Sequence, residues 1–195
     1  MSDRSFEDRP AVLRCGRCGR FADWKDARLQ IVCLCRAQIA LPPVLVREAS
    51  PGDRRSAFDL LAREFAGRHL ISDEEAAAAG DLSLLVAETD GGITGALAWR
   101  AVEDGLHIVA MATDPMWQRS GVGGHLLAEA EILARQRSWN RVIVTTTNDN
   151  IAALYFYQRR GYRMTAIRPR ERPEGPTAGF AGIPIRDEVL LSKTL

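Results

Sequence analysis

Two short segments combine residue types and spacings that suit group-transfer chemistry. The first is Gln118, Arg119, Ser120, Gly121, Val122, Gly123 and Gly124. It joins a stretch with strand alternation to one with helical periodicity. A helix N-terminus leaves backbone N–H groups unpaired and carries partial positive charge, and glycines let a phosphate come close to that backbone. The turn lacks the Lys-Ser/Thr ending of a nucleotide-hydrolysing P-loop. It also lacks the Gly-x-Gly-x-x-Gly of a dinucleotide fold. Taken alone, it reads equally well as a tight strand-to-helix turn with no ligand. The second segment runs from Asn150 through Ala153, Phe156 and Tyr157 to Gly161 and Tyr162. It offers a helix cap, an aromatic run and a glycine stop.

Together the two segments resemble the GNAT acyl-CoA N-acyltransferases. Gln118, Gly121 and Gly123 match that family's Gln/Arg-x-x-Gly-x-Gly/Ala loop. Asn150, Ala153, Phe156, Tyr157, Gly161 and Tyr162 match its Asn-x-x-Ala-x-x-Phe-Tyr-x-x-x-Gly-Phe/Tyr pattern. The order and context of the two also agree, and the resemblance covers residues 44–195. A narrower likeness, to a bacterial subgroup of unnamed substrate, rests on Thr146-Thr147-Asn148-Asp149-Asn150 and on the run from Gly182 to Glu188.

The resemblance implies acetyl-CoA as co-substrate and a cleft between the strands near 106–113 and 142–147. It implies that backbone groups of Met111 and Thr113 pair with the pantetheine arm. The N–H groups of Arg119, Ser120, Gly121, Val122, Gly123 and Gly124 would hold the pyrophosphate. Gln118 belongs to the same cofactor-binding set, Asn150 would hydrogen-bond the arm, and Tyr157 would sit near the thioester sulfur.

An amine attacking a thioester must first lose a proton, and the leaving thiolate gains from a donor. A phenol is un-ionised at neutral pH, so Tyr157 is the expected donor, the other reading being that it only packs on the cofactor. His107 titrates in a useful range and is the candidate base, although similar enzymes often place a Glu in this region and a pocket-lining role is open. Glu103 and Asp104 are the alternative through water. Asp149, Asp187 and Glu188 either bind a cationic acceptor or brace the sheet. His69 and His125 read as surface or packing residues. No glycine-flanked Ser or isolated Cys suggests a covalent enzyme intermediate.

The four cysteines all lie between 15 and 35. Cys15 and Cys18 have the C-x-x-C spacing of a metal knuckle, while Cys33 and Cys35 are closer together than a zinc ribbon prefers. A unit of this size needs a staple to fold. Four thiolates would make a closed structural Zn2+ site, with disulfides, redox use, an iron–sulfur centre or free thiols as the other readings.

The elements that must position these groups follow from the rest of the chain. A polar tail is expected over 1–10, the Cys unit over 11–41 and the acyltransferase domain over 44–195. Pro42-Pro43 separates the last two. Strands are expected at 44–47, 82–89, 93–99, 106–113, 142–145, 162–167 and 188–195. Asp90-Gly91-Gly92 is expected to form a hairpin. A helix capped at Ser50 should reach about Arg68, with Phe58, Leu61 and Phe65 on one face. A second should follow the capping box at Ser72–Glu75, a third should bury Leu126, Leu127, Ala130 and Leu133, and a short one should run over 150–160. In the strand at 106–113, alternation sends Leu106, Ile108 and Ala110 one way and His107, Val109 and Met111 the other. The fold class is α/β (α+β): a mixed twisted sheet of about seven strands flanked by helices, with a small N-terminal Cys unit.

The chain is 46% hydrophobic and 26% charged, which argues against global disorder. A net charge of +1 disfavours a nucleic-acid-coating protein. Arginines flank the cysteines, and their simplest reading is to offset thiolate charge. No apolar run is long enough to cross a membrane and no leader is visible, so a cytoplasmic location is expected. A small-molecule amine acceptor is slightly favoured over a protein, and a homo-oligomer is open. The rival readings are a non-catalytic acyl-CoA sensor and a zinc-dependent nucleic-acid- or protein-binding protein carrying the same domain.

Overall fold

The computed structural model describes residues 31–32, 38–39, 44–65, 82–89, 92–118, 120–170 and 177–195. The four cysteines, Arg119, His69, the 72–75 capping box with its alanine-rich helix, and the Asp90-Gly91 tip lie outside the described residues. Two short strands, β1 (Ile31–Val32) and β2 (Gln38–Ile39), pair antiparallel.

The main sheet has seven strands. In chain order they are β3 (Leu45–Glu48), β4 (Ser83–Thr89), β5 (Gly92–Val102), β6 (Gly105–Thr113), β7 (Arg141–Thr147), β8 (Arg163–Pro169) and β11 (Asp187–Thr194). A two-stranded hairpin, β9 (Thr177–Ala178) with β10 (Pro184–Ile185), precedes β11. The spatial order is β3-β4-β5-β6-β7-β11-β8. Neighbours are antiparallel except β6 and β7. That parallel step needs a crossover, which helix α2 (Val122–Gln136) supplies. Helices α1 (Arg54–Phe65) and α3 (Ile151–Gln158) are the other α-helices among the described residues.

The core has two layers. One joins α2 to Leu85, Leu97, Leu106, Ile108, Val142 and Val144. The other joins α1 to Leu84, Val86, Ala96, Ala98, Ala110 and Ala112. On α1 the buried residues are Ala57, Leu60 and Leu61, with Phe58 partly buried beside them. The inward stripe is therefore centred on Ala57, Leu60 and Leu61, because Ala57 lets the helix approach the small-residue face of β5 and β6. The start of α1 is fixed by Asp53, whose carboxylate accepts from Ser50 N–H at 2.7 Å, Ser50 Oγ at 2.6 Å and Arg47 Nη1 at 2.6 Å. Hydrogen bonds from Arg47, then from Ser50, hold the Asp53 carboxyl well below the usual carboxylate range.

Simple alternation fails in β6. Ala98 pairs with Ala110, but Trp99 pairs with Ile108, leaving Val109 as an extra residue. This β-bulge reverses the faces beyond it. Leu106 and Ile108 face α2, whereas Ala110 and Ala112 face α1. The expected grouping of Ala110 with Leu106 and Ile108 is corrected accordingly, and Met111 packs on the α2 side.

Candidate active site

The bulge coincides with a fork in the sheet. The β6–β7 register runs from Gly105↔Arg141 to Ile108↔Val144 and stops there. Beyond it each strand stays paired only to its outer neighbour: β6 to β5 as far as Thr113, β7 to β11 as far as Thr147. The inner edges of the two arms thus present backbone donors and acceptors to a wedge-shaped opening, and buried backbone groups require partners.

The turn into α2 stands beside the β6 arm. Asp114 accepts from Met116 N–H at 2.9 Å and starts a short 3-10 turn over Pro115–Trp117. Ser120 donates both its N–H and its hydroxyl to the Trp117 carbonyl, so its hydrogen bonds shape the turn. Gln118 Nε2 reaches the Thr113 carbonyl at 3.4 Å. Gly121 has φ +98°, a left-handed conformation that favours glycine. The first bond of α2 is His125 N–H to Gly121 C=O at 3.0 Å, and no side chain caps the helix. The N–H groups of Val122, Gly123 and Gly124 are therefore donors without an intrahelical acceptor.

Three elements meet at these glycines. A side chain at Gly123 would begin 3.5 Å from Thr113 Oγ1 on β6 and 3.6 Å from the Phe156 ring on α3. One at Gly124 would begin 3.0 Å from Arg160 Nη2. Bare backbone at this junction, next to unpaired strand edge, fits a phosphate with an extended amide-bearing arm. Gly95 was not singled out in the sequence, yet it sets this geometry. It lies opposite Thr113, and a Cβ there would fall 2.7 Å from Val122 Cγ1. Its signal was available, since a glycine inside a strand marks close approach of another element.

Helix α3 starts at Asn150, whose Oδ1 accepts from Ala153 N–H at 3.2 Å. Its Nδ2 has no partner among the described residues. Gly161 closes the helix at φ +87°. Tyr157 is buried, 5% exposed, with its ring packed edge-on to Phe156 at 5.1 Å and tilted against Tyr162 at 5.6 Å. Its hydroxyl has no hydrogen-bond partner among the described residues. It is not among the fully enclosed unpaired polar side-chain atoms of the described residues, Trp99 Nε1 and Arg141 Nε. The oxygen therefore keeps an opening to solvent while the ring is enclosed. Burial pushes the phenol's pKa up from its ordinary value, with the Arg160 charge opposing weakly. Tyr157 stays protonated at any physiological pH. Beneath it, Tyr162 donates to Glu131 Oε1 at 3.3 Å, and Lys193 Nζ bonds both Glu131 oxygens at 2.9 and 2.8 Å.

His107 stands one residue before the fork, opposite Ile143, on the face away from Leu106 and Ile108. Its Nε2 lies 2.9 Å from Thr145 Oγ1, and Arg100 Nε donates to its Nδ1 at 3.4 Å. A guanidinium only donates, so Nδ1 is the acceptor and Nε2 carries the proton towards Thr145. Tyr157, by contrast, packs in the cluster that holds Leu106 and Ile108. Glu103 and Asp104 form the exposed β5–β6 turn, where Asp104 pairs with Arg141 at 2.8 Å. His125 is exposed on α2.

The acidic residues near the end of β7 brace the structure. Asp149 is fully buried and accepts from Thr147 Oγ1 and from Phe180 N–H at 2.9 Å. Gly179 leaves no space for a Cβ against that carboxylate and the Ile183 carbonyl. Asn148 Oδ1 accepts from Arg186 N–H at 2.9 Å and Asp187 N–H at 3.0 Å, while Nδ2 donates to Pro184 O at 3.0 Å. Asn148 and Asp149 thus hold the β9–β10 hairpin against the outer arm of the fork. Glu188 pairs with Arg170 at 3.5 Å.

A mixed sheet forked at its parallel step, with an uncapped glycine-led helix and a buried phenol at the opening, is the architecture of an acyl-transfer enzyme. The chain belongs to the Acetyltransferase (GNAT) family, whose sequence profile matches residues 54–162. The chain is 38% identical over 113 residues to YxbD, an uncharacterised protein of Bacillus subtilis strain 168, covering 54% of this chain and 70% of that one. Among solved structures it is similar to a GNAT family acetyltransferase from Elizabethkingia anophelis with acetyl-CoA bound: TM-score 0.67, 22% identity, 78% of this chain and 98% of that one. It is also similar to an IAA acetyltransferase from Bacillus cereus ATCC 14579: TM-score 0.65, 21% identity, 78% of this chain and all of that one. At these identities the two structures speak for the fold. No helix among the described residues is long and apolar enough to cross a membrane.

Proposed function

We propose that the chain transfers an acetyl group from acetyl-CoA to the primary amine of an acceptor by direct attack, without a covalent enzyme intermediate. The observation that carries this reading is the end of the β6–β7 ladder at Ile108/Val144, beyond which the bare turn at Gly121–Gly124 meets Thr113 of β6 and Phe156 in the C-terminal half of α3. Acetyl-CoA supplies an activated acetyl thioester. The N–H groups of Gly121, Val122, Gly123 and Gly124, with that of Arg119, bind its pyrophosphate, and Ser120, whose N–H and hydroxyl are both given to the Trp117 carbonyl, shapes the turn that presents them. Backbone groups of Met111 and Thr113 and the Asn150 amide hold its extended arm, and Gln118 ties the turn to Thr113.

The acceptor amine enters from the His107 face and the thioester from the α2 face, and they meet through the fork. His107 takes the amine proton at Nδ1, directly or through one water, as Arg100, an exposed side chain, gives way. The new N–C bond forms as the C–S bond breaks. Tyr157 gives its proton to the departing sulfur, and desolvation of the phenol keeps that proton in place until it is needed.

A small-molecule amine is the favoured acceptor, because little of the chain is spare for a protein-docking surface. Cys15, Cys18, Cys33 and Cys35 are proposed to hold one structural Zn2+, a reading that rests on residue type and spacing. Metal content of the purified chain, compared with a Cys15→Ser/Cys18→Ser variant, tests it.

Calorimetric titration with acetyl-CoA, followed by an amine screen that reads free-thiol release, tests the main reading. Saturable binding that is lost in Gly123→Leu, with turnover on at least one amine, is expected. Absence of binding at millimolar acetyl-CoA would overturn it.

A further inference from the structure

Arg160 is exposed just past the end of α3, beside the first turn of α2. Its guanidinium carbon lies 3.7 Å from the centroid of the Phe156 ring, and its Nη1 donates to the Phe156 carbonyl at 3.1 Å. These contacts aim Nη2 at Gly124, 3.0 Å from the point where a side chain would begin. A full positive charge is thus held over the first turn of α2, where the helix already presents its positive end. Cations are favourable at the opposite end of a helix. No carboxylate forms an ion pair with Arg160 among the described residues. Partial burial and the neighbouring Arg159 lower its pKa, with Tyr157 and Glu131 opposing. Arg159 itself is turned to Tyr155, donating to that hydroxyl at 2.8 Å.

We infer that Arg160 is a phosphate ligand of the acyl donor, reaching from the end of α3 across the glycine turn of α2. The inference rests on the acetyl-CoA reading above. A planar guanidinium fork stacked on an aromatic ring is preorganised for phosphate oxygens. The donor offers two sources of that chemistry, its pyrophosphate and its 3′-phosphate. The turn's N–H groups then supply one side of the phosphate site and Arg160 the other, and bound phosphate relieves the repulsion between guanidinium and helix.

The test is calorimetric titration of the natural chain, Arg160→Gln and Arg160→Lys with CoA and with dephospho-CoA, which lacks the 3′-phosphate. Circular dichroism confirms that the variants fold. Arg160→Gln is expected to weaken CoA binding roughly 10- to 100-fold, the range for losing a charge-assisted hydrogen-bonded pair. Arg160→Lys should recover part of this. In turnover, the KM for acetyl-CoA should rise while kcat at saturation is kept, a split that general destabilisation would not give. Equal losses with both ligands assign the contact to the pyrophosphate. Disappearance of a preference for CoA over dephospho-CoA assigns it to the 3′-phosphate. If Arg160→Gln binds CoA as tightly as the natural chain, the inference is overturned. If the natural chain itself binds neither ligand, the cofactor reading falls first and the role of Arg160 falls with it.

Discussion

Val122 Cγ1 of α2 lies 2.7 Å from the point where a side chain would begin at Gly95 of β5. Helix α2 rests directly on strand backbone at its first residue, with Leu126 Cδ1 similarly close at 2.9 Å. Both contacts are to buried side chains of the main core, so neither can swing away. Gly95→Ala should therefore lift the N-terminus of α2 from the sheet. Overpacking of this kind costs about 1–3 kcal/mol. A lower Tm together with a raised KM for acetyl-CoA is expected, because the same turn carries the proposed phosphate donors. An unchanged KM would separate the packing of α2 from the site.

Replacing Tyr157 with Phe removes one oxygen from a ring that is otherwise fully packed. The hydroxyl has no protein partner among the described residues, so stability should change little. If the phenol donates the proton to the leaving sulfur, kcat should fall by roughly 10²- to 10⁴-fold, with the affinity for acetyl-CoA kept. Unchanged turnover would reduce Tyr157 to a packing role.

Alkaline titration offers an independent check on burial. Desolvation raises the pKa of Tyr157, and desolvation with the Glu131 charge raises that of Tyr162. For a group whose folded pKa is raised, the stabilising contribution is full below the unfolded value, near 10 for a phenol. It is lost as pH rises through the folded value. Of the three tyrosines in the chain, two should then fail to ionise in the native state near pH 10–11 and appear only on unfolding. Absorbance near 295 nm reads this directly, and full ionisation without unfolding would contradict the packing described for Tyr157 and Tyr162.

His107→Gln tests the base. Without an acceptor for the amine proton, the rate should depend on the amine losing its proton to solvent. A loss of roughly 10²-fold or more in kcat/KM is expected at neutral pH, shrinking as pH rises. A loss equal at every pH would point instead to positioning through Thr145.

Asp149→Asn keeps the shape of the clamp and removes its charge. Both groups facing the Asp149 carboxylate are donors, the Thr147 hydroxyl and the Phe180 N–H. An amide nitrogen would meet one of them. Leaving a buried donor unpaired costs about 1–3 kcal/mol. Faster amide exchange over the β9–β10 hairpin should accompany the lower stability, and protection equal to that of the natural chain would remove the clamp role.

Much of this protein is local and was legible. The strand at Val142–Thr145 declares itself through β-branched residues, α2 through its apolar period, and Gly161 through the left-handed turn that ends α3. The order Gln118, Gly121, Gly123, then Asn150, Tyr157 and Gly161 was enough to indicate the family, since each of those residues serves a turn, a cap or a helix that its near neighbours define. What alternation could not give was the face of Ala110. One extra residue in the ladder, Val109, reverses every side chain after it, and only pairing with β5 reveals the insertion. The fork at Ile108/Val144, the support that Gly95 gives to Val122, the burial of Asp149 against Gly179 and the placement of Arg160 over Gly124 likewise join residues far apart in the chain. The main-sheet strands, the crossover helix α2 and the family follow from local pattern, because periodicity and turn chemistry act over a few residues, whereas the β9–β10 hairpin lies in a stretch whose prolines and glycines read as loop. Where the sheet opens and which charges face the opening depend on strand register and on packing between elements, which no local pattern encodes.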